Sequence, residues 1–378
     1  MQHCEAFKCL SYEALSATCA TGHYQDSGWK WWSTETVAIV TGANKGIGFA
    51  IVKRLAEVGL TVVLTARDAV RGLNAVQSLK SEGLNNVHFF CLDVSDPNSI
   101  QAFATRFQHT FGVVDILINN AAVSFNDIHE NSVEEAETVI KTNFYGPKML
   151  TEALLPMFRR SATATRILNI SSRLGLLNKL KNPKLKEMLL DEEHLSEKQI
   201  EGMVNLFLEN VKSGTWKSQG WPQVWTDYAV SKLALNAYSR VLAKRYKGCG
   251  ISVNCFCPGF TQTSMTGGKG AYTAEAVAEV GARVALLPAE ELTTGKFYIE
   301  TCNTDWIVSA YTEMAGFNAL APKTKNFVVA GGLSAFVFGV YFYTMRAVGG
   351  SDELQVAIDK FEDQKRQTEP EATLAPKA

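Results

Sequence analysis

Tyr228 and Lys232 stand four residues apart in the run Asp227-Tyr-Ala-Val-Ser-Lys232. If that run is helical, the two side chains share one face, and the phenol and the ammonium point into one cleft. A free tyrosine has a pKa of about 10 and is a poor acid or base at neutral pH. A nearby cation favours the phenolate and lowers that pKa. The pair can then move a proton near physiological pH, as reduction of a carbonyl requires. A Y-x-x-x-K spacing also occurs on ordinary helix surfaces, so the reading depends on what accompanies it.

Far upstream lies a glycine-rich turn, Thr41-Gly-Ala-Asn-Lys-Gly-Ile-Gly48. Residues 37–40 before it read as a short buried strand, and 49–55 after it as a helix with an apolar face. Gly42 permits the tight turn, Gly46 lets the backbone approach a phosphate, and Gly48 allows close helix–strand packing. The helix N-terminus adds amide donors and the positive end of its dipole. Asn44, Lys45 and Ile47 belong to the same turn and are expected at a dinucleotide.

The spacing of this turn, G-x-x-x-G-x-G, resembles that of the short-chain dehydrogenase/reductase family, and further motifs extend the resemblance. Asn119-Asn-Ala-Ala122 follows the apolar run 114–118 and is similar to the family's N-N-A-G, with Ala122 in place of glycine. Asn143 matches the asparagine of the family's catalytic tetrad, and Ser172, ending the strand-like run 166–172, matches the catalytic serine. Cys257-Pro-Gly-Phe-Thr-Gln-Thr263 resembles the loop that closes over the nicotinamide.

The resemblance implies an α/β fold for residues 34–300, a Rossmann-type doubly wound parallel sheet. It also implies roles. Tyr228 gives the proton to the nascent alkoxide, and Lys232 depresses the pKa of Tyr228 and hydrogen-bonds the nicotinamide ribose. Ser172 polarises the carbonyl, and Asn143 fixes a water linking Lys232 to solvent. Asp93 and Val94 contact adenine. Asn120, Ala121, Pro258, Gly259 and Thr263 line the cofactor.

Charge argues for NADPH rather than NADH. An acidic residue at the end of the second strand would bind the ribose 2′-hydroxyl, whereas arginine accommodates a 2′-phosphate. Arg67 stands just past that end, with Arg71 beyond it and Lys45 in the glycine turn. A guanidinium suits phosphate through its planar fork of donors. Asp68 is the counter-signal, one position beyond the discriminating site.

The stretch between Ser172 and Tyr228 is far longer than compact family members need. It is read as a helical insertion of about 175–222. Ser196-Glu-Lys-Gln199 is a capping-box signature opening a helix with Ile200, Val204 and Phe207 on one face. Such an insertion resembles the monomeric carbonyl reductases, in which it covers the surface that compact relatives use to dimerise. Trp225, Phe256 and Phe260 are candidates for an apolar pocket and equally for packing residues. The expected substrate is a small hydrophobic ketone or aldehyde.

The 378 residues exceed what one such domain needs, about 250–300. A net charge of −1 with no basic stripe gives no sign of nucleic acid. The eight cysteines include no C-x-x-C pair and read as reduced thiols. The histidines lack metal-ligand spacing. Residues 1–33 form an extension without a convincing targeting signal, and Trp29, Trp31 and Trp32 are expected to pack under the first strand.

Beyond a linker of 301–326, the run from Phe327 to Met345 carries no charge and is long enough to cross a bilayer. It is expected to be a single transmembrane helix, with an amphipathic helix and polar tail over 350–378. Residues 314–366 resemble the single-pass assembly factors of cytochrome c oxidase in the mitochondrial inner membrane. An alternative function therefore follows, a membrane-anchored assembly or scaffold protein; the chain is read as a gene fusion or a merged gene model, and in the latter case the reductase is expected in the cytoplasm.

Overall fold

The strands form because the chain supplies short, almost wholly apolar runs, as buried parallel strands require. The computed structural model describes residues 30–125, 132–159, 165–288, 293–299 and 303–304. Its strands are β1 (Val37–Val40), β2 (Thr61–Ala66), β3 (Val87–Cys91), β4 (Ile116–Asn119), β5 (Thr165–Ile170), β6 (Ile251–Cys257), β7 (Phe297–Ile299) and β8 (Asn303–Thr304). They make one sheet in the order β3-β2-β1-β4-β5-β6-β7-β8. β1 to β7 pair in parallel, and β8 alone runs antiparallel, at the edge beside β7. The expected doubly wound sheet is present. Strand β8 lies in the stretch read from the sequence as linker.

Each strand face has its own core. Ile39 and Val63 join Phe103, Phe107, Phe144, Leu233 and Tyr238 on one side. Ala38, Val40, Val62 and Leu64 join Ile51, Leu55, Leu79 and Val277 on the other. The period-two alternation of β1 and β2 thus feeds two helical layers. Helices α1 (Gly46–Glu57), α2 (Ala69–Ser81) and α9 (Ala274–Ala285) cover the second face. Helices α3 (Pro97–Thr110), α4 (Val133–Ile140), α5 (Gly146–Leu154) and α8 (Thr226–Arg245) cover the first. Strand order reverses around β1, whose neighbours are β2 and β4. That switch point is where such sheets open a ligand crevice.

The insertion carries α6 (Pro183–Leu190) and α7 (Glu197–Lys212). The capping box of α7 forms as its sequence predicts, with Ser196 and Gln199 each satisfying the other's backbone. Ile200, Val204 and Phe207 are buried on the face that meets α8. Polar ties reinforce the seam. Arg240 pairs with Glu192 at 2.9 Å, Arg245 with Glu197 at 2.6 Å, and Lys148 with Glu197 at 3.4 Å.

Trp31 and Trp32 do pack against the domain. The Trp32 indole donates to the Val58 carbonyl at 3.3 Å, and that of Trp31 to the Leu286 carbonyl at 3.1 Å. The Arg166 guanidinium lies 3.6 Å above the Trp31 ring, on β5 rather than under β1. Trp29 and the remaining N-terminal extension lie outside the described residues. So does everything read from the sequence as membrane span, amphipathic helix or tail. Among the described residues, no helix is long and apolar enough to cross a membrane.

Candidate active site

The glycine turn is held shut by the residues that follow β4. The Thr41 hydroxyl accepts the backbone N–H groups of Asn120 and Ala121, both at 2.9 Å. The Asn120 side-chain amide donates to the carbonyls of Thr41 at 2.8 Å and Gly42 at 3.2 Å. Gly42 and Gly46 take φ values of +60° and +59°, the left-handed region that side chains disfavour. A Cβ on Gly42 would also meet the Ala121 Cα at 2.8 Å. Gly48 acts differently from its expected part in helix–strand packing. A Cβ there would fall 2.4 Å from the Asn120 amide nitrogen, so this glycine makes room for Asn120.

Helix α1 begins at Gly46, with no side chain capping its N-terminus and no acid in its first turn. Its first amides and dipole are thereby left for an anion. A cleft of about 310 Å³ opens in front of it. The walls include Gly42, Asn44, Lys45, Gly46, Ile47, Arg67, Arg71, Asp93, Val94, Asn120, Ala121, Pro258 and Thr263, residues assigned to the cofactor from the sequence. Ala122 also lines it, so the methyl that replaces glycine does face the cleft. Gly48 and Gly259 are not among the residues that line it.

Arg67 and Ser172 follow β2 and β5, which stand three strand spacings apart, roughly 14 Å. The cleft joins a cationic region to Tyr228 and Lys232. In the cationic region, Asp68 is not a free acid at a ribose. Its carboxylate caps α2 by accepting the Arg71 N–H at 2.9 Å, and it pairs with the Arg71 guanidinium at 3.4 Å. Arg71 is thus partly engaged, which leaves Arg67 and Lys45 as the principal cations.

Tyr228 and Lys232 lie on the first turns of α8, and both line the cleft. The Lys232 amine sits 5.5 Å from the centre of the Tyr228 ring and donates to the Ile170 carbonyl at 2.8 Å. An ammonium has three donors, so others remain for the cleft. Ser172 lies close enough to the Tyr228 hydroxyl to lower its proton affinity. Ser172 Oγ also accepts the Leu174 N–H at 3.1 Å, which pins its position.

Asn143 is fully buried within a π-helical turn, Lys141–Tyr145, that joins α4 to α5. Its amide exchanges two hydrogen bonds with the Val123 backbone, at 2.8 and 2.9 Å, and donates to Ser231 at 3.1 Å. Ser231 in turn donates to the Tyr228 carbonyl at 2.7 Å. This serine, inside the Y-x-x-x-K run, went unnoticed in the sequence. Its neighbour Asn143, three helices away in the chain, gave no local sign of it.

The charge balance corrects one expectation. Lys232 was expected to depress the pKa of Tyr228. Instead burial dominates and raises that pKa well above the ordinary tyrosine value, with Ser172 opposing it. Burial also pulls Lys232 down, to about 8. The phenol therefore carries its proton at neutral pH, while burial makes it a weaker acid than a free tyrosine. For Phe256 the packing reading holds. It is buried in the sheet core and cannot line a pocket, whereas Phe260 is exposed.

This arrangement can grip a phosphorylated dinucleotide and give a proton to an oxygen near Ser172 and Tyr228. The comparisons with known proteins agree. Residues 36–183 and 210–274 match the short chain dehydrogenase family. The (+)-neomenthol dehydrogenase of Arabidopsis thaliana is 39% identical over 287 residues, spanning 70% of this chain and 96% of that one. "Carbonyl reductase [NADPH] 1" of Mus musculus is 37% identical over 265 residues, spanning 68% and 93%. The solved structure of salutaridine reductase from Papaver somniferum superposes with a TM-score of 0.64 at 38% identity, covering 70% of this chain and 99% of that one.

Proposed function

The chain belongs to the short-chain dehydrogenase family, and from that premise we propose that it reduces the carbonyl of a small hydrophobic ketone or aldehyde to an alcohol with NADPH. The observation that carries this reading is one cleft lined by Tyr228, Lys232, Lys45 and Arg67 in front of an uncapped helix N-terminus, with Ser172 directly after the lining residue Ser171 and close to Tyr228.

The residues present fit the cofactor. Gly42 and Gly46 bring backbone close to its diphosphate, the α1 amides receive the charge, and Arg67 with Lys45 suits a 2′-phosphate. When bound, NADPH supplies the hydride. Ser172 donates a hydrogen bond to the substrate carbonyl and polarises it. The Tyr228 hydroxyl, kept protonated by burial, gives its proton to the oxygen as the alkoxide forms. Lys232, cationic below about pH 8, stabilises the phenolate left behind and holds the ribose. Asn143 fixes the backbone at Val123 and, through Ser231, the turn that bears Tyr228. The test is consumption of NADPH by the purified protein with a panel of apolar ketones and aldehydes. Failure across the panel would contradict the reading.

The α6–α7 insertion buries the face of α8, which supports a monomeric reductase domain. The uncharged run from Phe327 to Met345 supports a single membrane anchor, with the mitochondrial inner membrane as its proposed place. Neither the fold nor the family match, which ends at residue 274, supports an assembly or scaffold function.

A further inference from the structure

Trp225, three residues ahead of Tyr228, breaks two local rules at once. Its backbone sits at φ +47°, ψ +58°, and it alone among the described non-glycine residues has a positive φ. A bulky side chain there is a genuine outlier, kept only where the surroundings over-determine it. Its indole nitrogen is also shut off from solvent without a hydrogen-bond partner among the described residues. Buried donors of this kind are rare in native proteins.

The surroundings that impose the strain are visible. Trp221 is fully buried, packs edge-on against Phe207 of α7 at 5.3 Å, and donates to Asn210 at 3.0 Å. At the other end, the Trp225 carbonyl accepts the Ala229 N–H at 2.7 Å to open α8, while Thr226 donates back to the Pro222 carbonyl at 2.8 Å. The chain must therefore turn from the insertion into α8 within four residues. A glycine or asparagine would make that turn with less strain. Tryptophan is there for its side chain.

That side chain meets the proton donor. The Trp225 and Tyr228 rings stand 6.5 Å apart, edge to face at 88°. Trp225 is half-buried with its N–H hidden, so the surface it offers is not its polar end. Exposed apolar residues lie nearby in sequence: Val224 adjoins Trp225, Phe125 stands two positions after cleft-lining Val123, and Phe260 two after cleft-lining Pro258.

We propose that Trp225 is a specificity-determining residue, an aromatic wall beside the Tyr228 phenol that selects carbonyls flanked by bulky apolar rings over small polar ones. The inference rests on the reductase reading above and deepens it. Strain is accepted at this position in exchange for substrate contact.

The test measures kcat and KM of the full chain with NADPH for menthone and for glyceraldehyde, alongside thermal unfolding. Trp225→Gly should lower the menthone-to-glyceraldehyde ratio of kcat/KM about tenfold or more, chiefly through the KM for menthone. Its Tm should not fall, because the left-handed strain is relieved. Trp225→Phe should restore most of the ratio. Should Trp225→Gly fail to fold, Trp225→Asn serves, since asparagine tolerates that conformation. An unchanged ratio would overturn the inference and leave the reductase reading standing, as would a fall in Tm with both substrates declining in step. A wild type that consumes NADPH with neither substrate would overturn the reductase reading and this inference with it.

Discussion

Replacing Arg67 with Asp separates the cofactor argument from the rest of the site. Arg67 follows the end of β2, is exposed, and lines the cleft with Lys45 in the facing turn. A hydrogen bond to a charged group contributes about 1.5–3 kcal/mol. Each 1.4 kcal/mol is about tenfold, so losing the contact to a 2′-phosphate should cost about 10–150-fold in kcat/KM for NADPH. Repulsion from the new carboxylate adds to this, whereas NADH has no phosphate to repel. The ratio of kcat/KM for NADPH to that for NADH should therefore fall by about two orders of magnitude at low salt. Because Arg67 is exposed, the wild-type preference should weaken as salt screens the contact. Arg71→Ala is the control. Asp68 already holds Arg71, and both are well exposed, so its effect should stay within about threefold. An unchanged ratio in Arg67→Asp, or a wild type that prefers NADH, would refute the reasoning.

Burial pulls Lys232 down to about 8, so the amine is cationic below that pH and neutral above it. Hence kcat/KM for reduction should hold level from pH 6 to 7 and fall about tenfold per unit above pH 8, and a level profile to pH 9.5 would contradict the role given to Lys232. A chain of residues 30–304 should be monomeric by light scattering, since α6 and α7 cover the face of α8; a dimer would remove that reading. If residues 327–345 span a bilayer, the full chain should resist carbonate extraction while a chain ending at Thr304 should not. Asp at Val337 should then cost about 2.5–3.5 kcal/mol of insertion, and a wholly extractable full chain would end the membrane proposal.

The sequence made the site legible where its chemistry is local. The glycine turn sits between an apolar strand and a helix, so its residues and their place in the cleft followed from spacing. The Tyr228–Lys232 pair needed only the period of a helix, and the Ser196–Gln199 cap only a known signature. What stayed hidden depends on three-dimensional surroundings. Desolvation sets the proton affinities of Tyr228 and Lys232, and no spacing reveals it. Every residue of β6 is buried, so Phe256 could not be assigned to pocket or core by alternation. Gly48 yields to Asn120 from a different strand–loop unit, and Trp225 adopts a conformation that its own side chain argues against.

The most direct test of the proposed chemistry is Tyr228→Phe, which keeps the ring and its contact with Trp225 while removing the proton that reduction requires. With an accepted ketone and saturating NADPH, kcat should fall about a hundredfold or more, while NADPH still binds with its wild-type Kd. Wild-type turnover in this variant would contradict the account.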